Sequence, residues 1–344
     1  MNKGHEMLNH DQSRVARRSL LIAAATSFGV FGQVPSPAQS KPGADTGLQS
    51  LQTLRIGFQK SAVNLVILKQ QGALEKRFPS AKVQWVEFPA GPQLLEALAV
   101  GSLEFGLTGD SPPVFAQAAG KELFYVGAEP AKPLSSAVLV PATSPLKTLA
   151  DLKGKRVALQ KGSSAHYLLV RAVEQGGLQW SDITPIYLAP ADARAAFEKG
   201  AVDAWAIWDP FYAATELAIK PRVLANGKGL SNNNSFYLAS KPFVTEHPQA
   251  ALALLDELTR ADAYVQGNRK EAAQLIADFS GLGLATVHLF LSRRPPSPVG
   301  PLTPAITADQ QRVADAFFKL ELIPRRVDVA RIVWQPPRVN VAAR

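Results

Sequence analysis

From Leu54 onward the sequence predicts an α/β protein made of two similar lobes, and three observations carry that prediction. Short apolar runs alternate with helix-length amphipathic segments, the pattern of parallel strands joined by helices. Gly101, Gly176 and Gly200 stand where those helices have to stop. The first half of the pattern then recurs about 100 residues later, which is two units facing one another rather than a solenoid.

The expected strands are Leu54–Phe58, Val83–Phe88, Leu103–Leu107, Val157–Leu159 and Val202–Ile207, each a short apolar run bounded by turn residues. Between them the helical spacing of apolar residues predicts helices over Val63–Gln70, Pro92–Val100, Ala165–Gln175 and Ala191–Lys199. The recurrence is visible at the residue level. Arg55-Ile56-Gly57-Phe58-Gln59-Lys60 returns as Arg156-Val157-Ala158-Leu159-Gln160-Lys161. Gly101-Ser102-Leu103-Glu104, which leads to Thr108-Gly109-Asp110, returns as Gly200-Ala201-Val202-Asp203, which leads to Ile207-Trp208-Asp209.

A chain of 344 residues that is 47% apolar and 19% charged can bury a large core and is longer than one ordinary domain. Its longest apolar stretch, Leu20 to Phe31, is interrupted by Thr26, Ser27 and Gly29 and is shorter than the roughly 20 residues a spanning helix needs. The N-terminus instead has the parts of an export signal over 1–38. Arg14, Arg17 and Arg18 precede a mostly apolar or small stretch, and a Pro/Ser/Ala segment follows, with cleavage expected after Ala38. The Arg17-Arg18 pair fits twin-arginine export loosely and Sec export equally well. Residues 39–52 read as a flexible linker.

There is no cysteine, which excludes disulfides, thiol chemistry and thiolate metal sites. The formal charge is +9, but the Lys and Arg residues are dispersed with no basic run interleaved by aromatics, so nucleic acid is not an expected partner. The charge is read as solvated surface with weak steering of anions.

In an open α/β sheet ligands bind beyond the carboxyl ends of the strands, so the turns at Gln59-Lys60, Thr108-Gly109-Asp110, Gly162-Ser163-Ser164 and Trp208-Asp209 are expected to line a cleft between the lobes. Ser163 is a candidate N-cap, and the helix after it starts with N–H groups of Ser164, Ala165 and His166 that lack intrahelical partners and favour an anion. At Gly109 a close backbone approach lets the Thr108 hydroxyl reach a solute. Asp110 can cap the following helix or hydrogen-bond a polar ligand group, with Pro112 at the first helical position. Trp205 and Trp208 point to opposite faces by period two, and Trp208 is the one expected in the cleft, beside an apolar part of the solute. His166 faces either the cleft or the core. The histidine spacing suggests no metal, and no triad, paired-acid constellation or phosphate loop stands out, so neither catalysis nor a cofactor is expected.

At these residues the sequence resembles a known family. The runs Trp85 to Leu98 (WVEFPAGPQLLEAL), Thr108 to Gly120 (TGDSPPVFAQAAG), Pro190 to Phe197 (PADARAAF) and Val202 to Pro210 (VDAWAIWDP) resemble the periplasmic aliphatic-sulfonate-binding proteins of ABC importers. So do Leu54 to Lys60, Gln160 to Ser164 with His166, Ser235 to Ala239 and Arg294-Pro295-Pro296, a likeness extending from about Leu54 to Pro336. The resemblance implies a type II periplasmic-binding-protein fold, each lobe a mostly parallel sheet flanked by helices. It divides the chain into a first lobe over 53–134 and 236–344 and a second over 135–235, with crossovers near Pro133–Ala137 and Asn233–Tyr237. It further implies a periplasmic monomer that binds an alkanesulfonate, taken up as a sulfur source, and contacts a membrane permease through surface segments that include the helix after Pro92. Carried onto this chain, the sulfonate head meets Gln59, Thr108, Gly109, Ser163, Ser164 and His166, with Trp208 and Asp209 as the other boundary and Lys60 adding charge. Three readings compete with this one: the same fold with another anion such as taurine or nitrate, a periplasmic sensory subunit, and an enzyme related to the thiamine-pyrimidine synthases, whose Cys-rich motif this chain lacks.

Overall fold

A computed structural model describes residues 46–337. The expected export signal, 1–38, lies outside the described residues. Among those described, ten strands follow in chain order: β1 (Thr53–Phe58), β2 (Lys82–Glu87), β3 (Phe105–Gly109), β4 (Leu123–Glu129), β5 (Ser136–Val140), β6 (Arg156–Leu159), β7 (Thr184–Tyr187), β8 (Ala204–Trp208), β9 (Arg222–Asn226) and β10 (Ser235–Ser240). They form two five-stranded sheets, ordered β2-β1-β3-β10-β4 and β7-β6-β8-β5-β9. In each, the first three strands pair in parallel and the fourth in the order is antiparallel to both its neighbours, so four of the five strands run the same way.

The two sheets therefore have one architecture, and the sequence recurrence is its cause. Arg55 of β1 pairs with Glu104, and its backbone N–H also donates to that carboxylate. Arg156 of β6 does the same with Asp203, its N–H donating at 2.7 Å. The left-handed Gly101 and Gly200 (φ 73° and 69°) turn the chain into each of these acids, a conformation only glycine takes at little cost. Both segments enter the ladder two residues later than their apolar runs predict. Leu103 and Val202 are already buried, but pairing starts beyond them, where Glu104 and Asp203 donate to the carbonyls of Arg55 and Arg156.

Burial explains the composition of the strands. The central β3, β5 and β10 are covered on both faces and read as continuous apolar runs, whereas the edge strands β2 and β7 are partly exposed and mix in polar residues. A core lies on each face of the first sheet, one built around Phe58, Leu65 and Leu254, the other around Leu98, Tyr125 and Phe317. Two smaller cores flank the second sheet.

One expectation needs correction here. Within 39–52, described from residue 46, the chain is not a free linker: Thr46–Gln49 is a short helix, and Leu48 and Leu51 are buried in the core of the first sheet, where removing two apolar side chains from water favours the ordered segment. The chain passes between the sheets twice, over 130–135 and 227–234. The crossovers run side by side, the Lys132 N–H donating to the Asn232 carbonyl at 2.9 Å and the Gly227 N–H to that of Pro133 at 2.9 Å. No helix among the described residues is long and apolar enough to cross a membrane.

Candidate binding cleft

The carboxyl ends of β1, β3, β6 and β8 meet the two crossovers around a cavity of about 50 Å³. By the measure in which one water takes about 10–15 Å³, that is room for a small head group. Of the residues expected there, Gln59, Gly109, Ser163, Ser164, Trp208 and Asp209 line it.

Each is held by local structure. Gln59 is buried in the turn after β1, its Nε2 donating to the Leu107 carbonyl at 3.1 Å, which fixes the amide against β3. Pairing of β10 with β3 sets Ser235 opposite Gly109, so that crossover strand joins the lining. Across the gap stands helix Ser164–Gln175. Ser163 has the extended backbone of an N-cap (φ −89°, ψ 170°), but its hydroxyl donates to the Gln160 carbonyl at 2.8 Å instead of capping. The His166 N–H finds the Ser163 carbonyl at 2.9 Å, so the open donors of this helix end are Ser164 and Ala165. Gly109 and Ser164 meet directly: a Cβ on Gly109 would fall 1.8 Å from the Ser164 hydroxyl oxygen. The two lobes are thus closed on one another at this point.

Trp208 faces the cavity while Trp205, three residues before it, is fully buried against Phe197 at 5.9 Å between ring centroids, as alternation along β8 requires. Asp209 is 2% exposed. Its Oδ1 accepts from Arg293 at 3.1 Å and from the Ala213 N–H at 3.0 Å, and its Oδ2 has no partner among the described residues. Burial pushes this carboxyl up to about 7, against the pull of Arg293. Arg293 also pairs with Glu216 and lies 3.7 Å over the Tyr212 ring, so one guanidinium from the end of helix Leu284–Ser292 grips three residues of the other lobe.

The other five expected residues do not line the cavity. Lys60 turns outward, its Nζ donating to the Ser280 carbonyl at 2.8 Å. Thr108 is on the opposite face of β3 from Leu107 and Gly109; its hydroxyl donates to the Gly109 carbonyl at 3.1 Å and its Cβ lies 3.2 Å from where a Cβ on Gly91 would stand. Asp110 occupies the N-cap position with helical backbone and does not cap; it accepts from the Ser111 hydroxyl at 2.9 Å, and Ser111 precedes Pro112 at the helix start. Burial raises Asp110 to about 6, and hydrogen bonds from Ser111 and Ser164 oppose that rise. Gly162 supplies a left-handed turn (φ 73°) against the Phe115 ring. His166 lies behind the turn, its Nδ1 accepting from the Gly162 N–H at 3.2 Å and its ring among Phe115, Trp180, Tyr187 and Phe317. Burial there lowers it to about 3, so it is neutral.

Sequence reasoning missed Lys132, Asn233 and Arg294, which line the same cavity. Lys132 and Asn233 sit on the two crossovers and Arg294 follows Arg293. No group of His, Cys, Asp and Glu among the described residues could hold a metal ion.

A family model described as NMT1/THI5 like matches residues 82–272, more than half of the chain. The alkanesulfonate-binding protein SsuA from Xanthomonas axonopodis pv. citri, solved bound to MOPS, is 51% identical, covers 82% of this chain and 98% of its own, and superposes with a TM-score of 0.80. The chain belongs to the aliphatic-sulfonate-binding branch of this family. The periplasmic aliphatic sulphonate binding protein SsuA from Escherichia coli, another such structure, is 48% identical, covers 86% of this chain and 96% of its own, and has a TM-score of 0.78. A curated Escherichia coli (strain K12) relative whose name assigns it to the aliphatic sulfonates-binding proteins is 49% identical over 291 residues, 85% of this chain and 91% of the relative. For the sulfonate-binding fold, the paired sheets with a cleft at their strand ends are the expected architecture, and the two lobes found here match it.

Proposed function

We propose that this chain is the exported solute-binding component of an ABC importer, a monomer that closes its lobes on a small aliphatic sulfonate and presents it to a membrane permease for use as a sulfur source. The observation that carries this reading is the composition of the cleft: the open backbone N–H of Ser164 at the helix start and the second amide N–H of Gln59, with cations at Lys132 and Arg294, in a chain 51% identical to a protein solved with a sulfonate buffer in it. A sulfonate is ionised at all ordinary pH and offers three acceptor oxygens, so donors from both lobes can engage it at once. Closure then gives it more partners than the open form, and the closed form is what a permease reads. Trp208 offers an apolar wall for the alkyl portion.

Binding fits these residues better than catalysis. The Ser163 hydroxyl is committed to the Gln160 carbonyl and His166 is neutral among aromatic rings, so no nucleophile and base are paired.

The test is a thermal-shift titration with C1 to C8 alkanesulfonates, MOPS, taurine, sulfate and nitrate. A ligand at 100 times its Kd adds about 2.7 kcal/mol of stability, a plain rise in Tm. The expected outcome is a rise with alkanesulfonates that Gln59→Leu, which removes the free amide donor, reduces. A rise with nitrate or sulfate and none with any sulfonate would overturn it.

A further inference from the structure

Glu129, the last residue of β4, lies buried beside two cations. Its Oε2 accepts from Lys132 Nζ and from Arg294 Nη1, each at 3.0 Å, and its Oε1 from Arg294 Nη2 at 3.0 Å and from the Tyr237 hydroxyl at 2.8 Å. With a longer contact from Asn64 Nδ2 to Oε1 at 3.4 Å, the roughly four acceptor sites of the carboxylate are all taken. The cations are not filled in return. Lys132 carries three N–H donors and spends one on Glu129, and Arg294 Nε has no partner among the described residues although Arg294 is 3% exposed. Glu129 is thus the one carboxylate hydrogen-bonded to both buried cations; Asp262, which accepts from the Ser297 N–H at 2.9 Å, acts on Arg294 without such a bond, and the arrangement is costly at Lys132 unless an anion completes it.

Other acids nearby are already engaged. Asp209, across the cavity, is bound by Arg293, which also holds Glu216; Asp110, behind Gly109, accepts from Ser111 and Ser164. Lys132 lines the cavity with its side chain 11% exposed, which leaves its spare donors open to a ligand; Arg294 lines it too, but its Nε is closed off from solvent. Lys132 is also part of the hinge: its N–H donates to the Asn232 carbonyl and its own carbonyl accepts from Asn233 Nδ2 at 3.2 Å, which ties the two crossovers together.

We propose that Lys132, supported by Arg294, reads the negative charge of the ligand, so that the cleft separates a sulfonate from its uncharged isosteres at the hinge itself. This rests on the proposed sulfonate reading and puts the charge contact at Lys132, where Lys60 had been expected to supply it. Removing Lys132 leaves Glu129 paired one to one with Arg294, so the fold keeps a balanced ion pair.

Calorimetric titration of the chain with propanesulfonate and with propanesulfonamide tests it. The wild type is expected to bind the sulfonate about 10- to 150-fold more tightly than the amide, the range for a hydrogen bond to a charged group. Lys132→Met is expected to lose most of that ratio by weakening the sulfonate alone, with the ligand-free Tm retained, and Lys132→Arg to restore it. Equal wild-type affinities for the two ligands, or a ratio unchanged in Lys132→Met, would overturn the inference while leaving sulfonate binding in place. If the wild type binds no sulfonate, the functional reading falls first and the inference with it.

Discussion

Gly109→Ala tests whether the contact between the lobes is part of binding. Gly109 has no left-handed φ, so alanine is acceptable to its backbone and the penalty is steric. The new Cβ would stand 1.8 Å from Ser164 Oγ and 3.1 Å from Ser164 Cβ, where ordinary contact begins at 3.4 Å. Two responses are open. The lobes part by the missing distance, or the Ser164 hydroxyl rotates away and the buried Asp110 carboxylate loses one of its donors. A hydrogen bond to a charged group is worth about 1.5–3 kcal/mol, so the second route lowers the closed population by about 10- to 150-fold. The assay is sulfonate affinity by calorimetry, with small-angle scattering of the ligand-saturated protein to read closure. Gly109→Ala is expected to lose at least about tenfold in affinity. In a Ser164→Ala background the 1.8 Å clash is gone, so adding Gly109→Ala costs little more. Unchanged affinity in the single variant, or fully additive losses in the double, would refute a role for this contact in closure.

Arg293→Gln removes the guanidinium that joins helix Leu284–Ser292 to Asp209 and Glu216. Sulfonate affinity is expected to fall, and stability by about 3 kcal/mol, the lower end for a broken buried pair because Asp209 can take up a proton; denaturant unfolding with and without ligand measures both. Asp209 itself shapes the pH dependence. Its folded value of about 7 against the ordinary 3.8 means the folded chain binds more protons between those limits, so its contribution falls as pH rises through that window. Asp110, raised to about 6, acts in the same sense, whereas His166, lowered to about 3 from 6.5, gains stability as pH rises between those values. Asp209→Asn is therefore expected to gain Tm relative to wild type progressively from pH 4 and to level off above about 7; a pH-independent difference between the two would count against the assigned titration.

The fold was legible because its signals are local. The recurrence of Arg55 to Lys60 as Arg156 to Lys161 lies in contiguous residues, and each half forms the same strand, turn and helix. The position of the cleft followed from strand direction alone, which is why Gln59, Gly109, Ser163, Ser164, Trp208 and Asp209 were within reach. Thr108 could have been set aside by the same alternation that separates Trp205 from Trp208, since Leu107 and Gly109 take the cleft face of β3. His166 shares a helix face with Tyr167 and Val170, which pack toward Phe317, and that apolar company was the available sign of burial. Lys132 and Arg294 had no such sign. Glu129, their shared partner, is three residues from one and 165 from the other, and only the assembled hinge makes the three one group.

The position of β10 has a consequence for how the molecule is made. It is the strand that joins β3 to β4, yet it is the last of the ten along the chain, after all of β5 to β9. The second sheet has every strand it needs by Asn226, while the first keeps two unpaired inner edges until Ser235 to Ser240 arrive. On whichever side of a membrane folding takes place, the inserted sheet can form from its own contiguous residues, and the outer one waits on contacts more than a hundred residues apart, the slow kind. Until they form, β3 and β4 expose edges to any passing strand, so the interval before β10 docks is when this polypeptide most needs a chaperone.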